Sequence, residues 1–164
     1  MTSITLLCVL AACLSLGACG PLHASCKLTW MFPATNCSVV HDCLSYTITN
    51  LSGDPQDCKS SEKCLYKLVS DTGSEIHSTH ETPVKHYVDD QSFTLSAGSG
   101  GAGSCTVAAY STSETWYAVL DYGTNYCNLR NLVDISKLSG MTDFKEITDD
   151  SMCTQYSSHD CSKY

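Results

Sequence analysis

The stretch that decides the fold is residues 27–51, KLTWMFPATNCSVVHDCLSYTITNL, where the spacing of the apolar residues changes from two to nearly four. Over 27–32 apolar and other residues alternate, which predicts a half-buried strand that ends at Pro33. Its inward face would carry Leu28, Trp30 and Phe32. Asn36 then caps a predicted helix. The apolar side of that helix is formed by Val40, Leu44, Ile48 and Leu51.

The rest of the chain reads as short strands and one more helix. Strands are predicted over 64–70, 75–82, 84–95 and 104–113, with a turn at 71–73, a bulge at Asp89-Asp90 and a flexible connection over 97–103. A second helix is predicted over 125–138, with Gly140 as its C-terminal cap, and a last short strand over 144–148. The order β-α-β-β-β-β-α-β predicts a single α+β domain, in which two main helices pack on one face of a mostly antiparallel sheet.

The amino-terminal residues 1–24 resemble a secretory signal peptide. They contain no charged side chain, and the apolar run 4–17, ITLLCVLAACLSLG, is too short to span a bilayer. Cleavage after Ala24 is the first expectation and after Ala18 the second, which leaves 25–164 as one secreted, cysteine-rich domain. The alternatives are a lipid-anchored Cys19 and a buried apolar helix. No later stretch is apolar enough to cross a membrane.

Composition narrows the class of partner. The 164 residues carry 9 basic and 17 acidic side chains, a net charge of −8, which argues against nucleic acid as a partner. The 12 cysteines indicate a disulfide scaffold in an oxidising compartment. No cofactor or metal is predicted. The partner is expected to be a small molecule, a glycan or a protein, and its identity stays open.

Nine cysteines follow Ala24, so one is expected to be unpaired, and we nominate Cys43 because it lies beside the apolar side of the first helix. Cys37 and Cys43 are too far apart along a helix to bond each other. Short polar loops favour Cys58–Cys64 or Cys153–Cys161 as local bridges, while the full connectivity stays open. The eight candidates for pairing are Cys26, Cys37, Cys58, Cys64, Cys105, Cys127, Cys153 and Cys161.

Two segments carry a resemblance. Residues 83–95, PVKHYVDDQSFTL, and 111–133, STSETWYAVLDYGTNYCNLRNLV, look like the signature segments of the domain-of-unknown-function family 1499. The matching positions are Asp89, Asp90, Phe93, Ser111, Ser113, Asp121, Gly123 and Asn125. The mature chain also resembles uncharacterised small secreted cysteine-rich animal proteins. Neither resemblance implies an activity.

The segment around Asp121 is the predicted functional surface. Asp121, Asn125, Trp116, Tyr117 and Tyr122 are the candidate ligand-binding residues, because aromatic and polar side chains cluster there. Tyr126 belongs to the same aromatic cluster. If these aromatics are instead buried, they complete the core against the second helix, and for the aromatics the core is favoured. Asp121, Gly123 and Asn125 are expected to build the turn, with Gly123 at positive φ and Asp121 or Thr124 capping the helix.

Other motifs are weighed against structural roles. Asp89-Asp90 could hold Ca²⁺, but a bulge with backbone hydrogen bonds is favoured. His77 and His80 fall on opposite faces of a strand, which disfavours a shared metal. Ser99 lacks the Gly-x-Ser-x-Gly setting of a hydrolase nucleophile. Asn50 and, less favourably, Asn36 begin N-glycosylation acceptor sequences.

The leading hypothesis is therefore a secreted, disulfide-stabilised, non-catalytic binding module. One alternative is a secreted hydrolase with an unrecognised Ser/His/Asp site. Another is an acidic extracellular-matrix or mineral-associated protein, although the acidic residues are scattered along the chain and do not form long runs.

Overall fold

The structure is a computed structural model and describes residues 23–53, 61–115 and 118–164. Six strands and two α-helices occur there in the predicted order. The strands are β1 (Ser25–Phe32), β2 (Tyr66–Asp71), β3 (Glu75–Glu81), β4 (Val88–Gly98), β5 (Gly101–Ser113) and β6 (Lys145–Ile147). The helices are α1 (Cys37–Asn50) and α2 (Thr124–Ile135). The strands form one antiparallel sheet of order β2-β3-β4-β5-β1-β6. The predicted α+β class is confirmed.

One face of the sheet is buried beneath both helices. Alternate residues of each long strand point inward, and Trp30, Phe32, Phe93 and Val107 are fully buried there. The helices pack on this sheet and against each other. As predicted, Val40, Leu44 and Ile48 form the buried side of α1, and the Asn36 carboxamide accepts a hydrogen bond from the Val39 amide. No helix in the three described segments is long and apolar enough to cross a membrane.

Four predictions of local structure are wrong. The chain over 84–87 is a connection and not a strand, because Thr82 exchanges backbone hydrogen bonds with Tyr87 and His86 and closes a loop. Asp89 and Asp90 are regularly paired, and the bulge lies instead at Ala97 and Gly98. The connection predicted over 97–103 is a tight turn at 99–100, because β4 continues to Gly98 and β5 begins at Gly101. Helix α2 ends at Ile135 and not at residue 138, so Gly140 is not its cap. The helix stops there because Lys137 takes the left-handed conformation (φ 65°) and Leu138 is buried in the following turn.

Two of the three described disulfides tie the carboxy-terminal segment to distant elements, and the third joins α1 to β5. The Cys153–Cys161 bridge predicted from loop length is wrong. Cys153 instead pairs with β1 as an isolated bridge, which brings it to Cys26 and leaves Cys161 beside α2. Cys43 is free in the described part of the chain, as predicted, and Cys64 is disulfide-bonded, whereas Cys58 lies outside the described residues. The described pairs are Cys26–Cys153, Cys37–Cys105 and Cys127–Cys161.

Candidate ligand-binding site

A cavity of about 610 Å³ lies between the β3–β4 connection and the segment that leads from β5 into α2. Two of the predicted ligand-binding residues, Asp121 and Tyr122, line it. Asn125 lies just beneath and is fully buried, while Trp116 and Tyr117 lie outside the described residues. The structure therefore places part of the predicted surface at a true concavity.

The walls of this cavity are apolar. Five of the ten exposed large hydrophobic side chains in the described residues line it, with exposed fractions between 51% and 69%. They are Val84, Tyr87, Val119, Leu120 and Tyr122. Apolar side chains scattered singly over a surface are ordinary, but a group of them around one concavity marks an interaction site.

Tyr122 and Tyr126 have different surroundings, although both were grouped with the predicted aromatic cluster. Tyr122 is 64% exposed at the cavity. Tyr126 is buried, where it meets the rings of Tyr156 and His159 and donates its hydroxyl hydrogen to Glu146. Tyr126 is thus a core residue, as the favoured interpretation of the cluster held, and Tyr122 is not.

The floor of the cavity carries Asp89, which is only 3% exposed. One of its carboxylate oxygens accepts from the Ser113 hydroxyl at 2.7 Å, and the other accepts from the Asn128 amide nitrogen at 2.6 Å. Burial raises the pKa of Asp89, whereas these two hydrogen bonds favour its ionised form. Both oxygens of the buried Asp89 carboxyl group are therefore already paired within the protein.

The turn at Asp121 is constructed as predicted. Gly123 has φ 79°, and the Asp121 carboxylate accepts from the Gly123 amide at 3.0 Å and from the Asn125 amide at 3.1 Å. Asp121, which lies two residues before the helix cap Gly123, therefore accepts hydrogen bonds from backbone amides at the start of α2. The amides of Asp121 and Tyr122 in turn donate to the Gln155 side chain, which anchors the turn to the carboxy-terminal segment.

Asn125 connects this turn to the sheet. Its side-chain oxygen accepts from Ser111 at 2.7 Å, and its nitrogen donates to Asp121 at 2.9 Å and to Ser113 and the Ala24 carbonyl at 3.3 Å each. The prediction that Asn125 fixes the turn from the inside is confirmed. A fully buried amide with these partners holds the framework of the cavity, and Asn125 is not among the residues that line it.

Two polar residues of this region, Asn128 and Glu62, were not identified from the sequence. Asn128 could have been suspected, because Asn125, Asn128 and Asn131 recur at three-residue spacing on the buried side of α2. Glu62 lies in a polar stretch with no distinguishing signal. Its Oε2 is buried without a hydrogen-bond partner among the described residues, and burial, then repulsion from Asp89, raises its pKa.

A Ser, a His and an Asp also meet on the outer side of α1. The His41 imidazole contacts Asp42 at 3.0 Å through Nδ1 and Asp71 at 2.7 Å through Nε2, while the Ser45 hydroxyl donates to Asp71. Hydrogen bonds that His41 donates to the carboxylates of Asp42 and Asp71 raise its pKa. With both nitrogens on carboxylates and the serine bonded elsewhere, this histidine is not placed to accept a proton from Ser45.

The suggested metal ligands are separated by the sheet. Asp89 is buried while Asp90 is exposed, so the two carboxylates cannot share one Ca²⁺ ion. His80 is buried and His77 exposed, as the strand period predicts. Among the described residues no group of three or more His, Cys, Asp or Glu side chains is arranged to hold a metal ion.

Comparison with models of protein families, with curated proteins and with solved structures finds no match to this chain. The resemblance to the domain-of-unknown-function family 1499 therefore stays a prediction. Several residues on which it rests nevertheless form one connected hydrogen-bond network beneath the cavity. They are Asp89, Ser111, Ser113, Asp121 and Asn125.

Proposed function

We propose that the protein is a secreted, non-catalytic binding module and that the cavity beside the Asp121 turn is its ligand site. The observation that carries this proposal is the grouping of exposed apolar side chains around a concavity with carboxylates at its floor. Such a combination suits a small ligand with an apolar body and a polar end, because the walls gain from burial and the floor fixes orientation.

Secretion is supported by two independent features. Residues 1–24 have the composition of a signal peptide. Three disulfides within the described residues tie together elements distant in sequence, and such bridges persist mainly in oxidising compartments.

A binding role is preferred to hydrolysis on geometric grounds. The Ser113 hydroxyl at the cavity donates to Asp89, and the His41 cluster lacks a serine bonded to its imidazole. A serine hydrolase needs its nucleophile bonded to a base that a third group orients.

The test is binding of the neutral apolar dye Nile red, followed by its fluorescence. Leu120→Glu places a charge in the cavity wall and should weaken dye binding about tenfold, the effect of losing one buried leucine contact. The control is Val39→Glu, which changes an exposed apolar residue in the first turn of α1, where glutamate is favourable. Equal dye binding by both variants and the wild type would contradict the proposal.

A further inference from the structure

The charges at the cavity are unbalanced. Three carboxylate side chains, Glu62, Asp89 and Asp121, line it, and Lys85 is the only basic side chain among its described lining residues. Lys85 is exposed, whereas Asp89 is almost fully buried. The negative charge therefore lies deep in the cavity and the positive charge at its rim.

The hydrogen-bonding capacity of the three carboxylates differs. Both oxygens of Asp89 and both of Asp121 already accept from the protein. Glu62 is different, since its Oε2 is withdrawn from solvent and has no partner within the described residues. A buried acceptor without a donor is costly, and that cost is removed when the Glu62 side chain, which lines the cavity, turns its carboxylate towards a donor on the ligand.

From this combination we infer that the ligand carries an ammonium group, which binds Glu62 in the field of Asp89, and an apolar body, which packs on Val119 and Leu120. The inference rests on the proposed function and specifies its ligand class. A cation supplies both the charge that the floor lacks and the donors that the free glutamate oxygen requires. The apolar walls of the cavity, and not its polar floor, limit how long the apolar body of the ligand can be.

The experiment compares octylamine, octanol and octanoate as competitors for Nile red, because the three differ only in the polar end. Octylamine should bind about tenfold more tightly than octanol, as expected for a charge-assisted hydrogen bond. Octanoate should bind most weakly. In Glu62→Gln the affinity for octylamine should fall to that for octanol, while octanol is unaffected. Glu75→Gln, which removes an exposed charge at the start of β3, is the matched control.

The outcomes separate the two proposals. Similar binding of all three compounds would overturn the ammonium inference and leave the cavity as an apolar site. Tightest binding of octanoate would also overturn it and would indicate Lys85 as the anchor. If no compound binds and Nile red does not either, the proposed function itself fails. The comparison in the wild type stands even if Glu62→Gln does not fold.

A second inference concerns the amino terminus and rests on different contacts. Ala24 is fully buried, its amide donates to the Ala118 carbonyl at 2.7 Å, and its carbonyl accepts from the Ser113 amide and from Asn125. Removal of Ala24 would leave the Ala118 carbonyl and the Ser113 amide without these partners and would put the new ammonium group of Ser25 in a site only 7% exposed.

We infer that signal-peptide cleavage occurs before Ala24, so that this residue stays in the mature protein. The test is amino-terminal sequencing and intact-mass measurement of protein secreted by eukaryotic cells. A mature chain that contains Ala24, such as one that begins at Cys19, is the expected result. A chain that begins at Ser25 would overturn the inference.

Discussion

Replacement of Gly123 by alanine probes the turn that joins the cavity to α2. Two costs are expected. The first is conformational, because φ at this position is 79° and a Cβ in the left-handed region costs roughly 1–2 kcal/mol. The second is steric, since the new Cβ would lie 2.6 Å from His159 Cβ and 2.8 Å from His159 Cα. Overpacking of this kind costs about 1–3 kcal/mol.

Gly73 provides the matched control. It has φ 81° in the β2–β3 turn, but a Cβ built there meets no atom within 4 Å. Gly73→Ala should therefore show only the conformational cost, of roughly 1–2 kcal/mol. Gly123→Ala should show in total about 2–5 kcal/mol. The difference between the two variants isolates the close approach of the carboxy-terminal segment to the turn.

The assay is urea unfolding at equilibrium, without reductant so that the disulfides stay intact, followed by fluorescence and circular dichroism. His159 stacks on Tyr156 and meets the Tyr126 ring at a tilt, so its displacement should also loosen the packing on α2. Nile red binding by the folded fraction of Gly123→Ala should stay close to that of the wild type. Equal destabilisation by the two variants, or normal stability with loss of dye binding, would refute this account of the turn.

Three further outcomes are expected. Alkylation followed by mass mapping should label Cys43 and recover the pairs Cys26–Cys153, Cys37–Cys105 and Cys127–Cys161; labelling of most cysteines would contradict the fold. Burial lowers the pKa of His80 to about 4, so the folded state holds its imidazole neutral. The stability that depends on the neutral form, up to about 3 kcal/mol, is present above pH 6.5 and is lost as the pH falls towards 4. His80→Gln should flatten that part of the stability profile, and an unchanged slope would count against it. In a eukaryotic secretory host Asn50→Gln should remove a glycan mass that Asn36→Gln leaves in place, because Asn50 is exposed while the Asn36 side chain caps α1 beside a bridged cysteine; loss of glycan from Asn36→Gln alone would reverse this assignment.

The sequence was informative where one local signal dominates. Alternation over 27–32 determined which face of β1 is buried, and the polar turn at Asp121 required the positive φ of Gly123. The nomination of Cys43 as the free thiol followed from its place on α1. In each case the deciding interaction lies within a few residues of the pattern that predicts it.

Interactions between distant residues were not accessible in this way. Cys153 bonds Cys26 and not its near neighbour because the carboxy-terminal segment pairs with β1 at these two residues. The cavity needs Glu62, the β3–β4 connection and the segment over 118–122 to meet, and no local pattern indicates that meeting. The same holds for Asn128, whose partner Asp89 lies 39 residues away.

The most direct test of the central claim is a map of backbone amide chemical shifts during titration of the ¹⁵N-labelled protein with octylamine. The account predicts that the largest changes fall on residues 82–89 and 118–124, which surround the cavity. A second, more open depression lies on the outer face of the sheet and is lined by His77, Ser92 and Tyr110. Changes centred on that depression, or spread evenly over the protein, would contradict the assignment of the cavity as the ligand site.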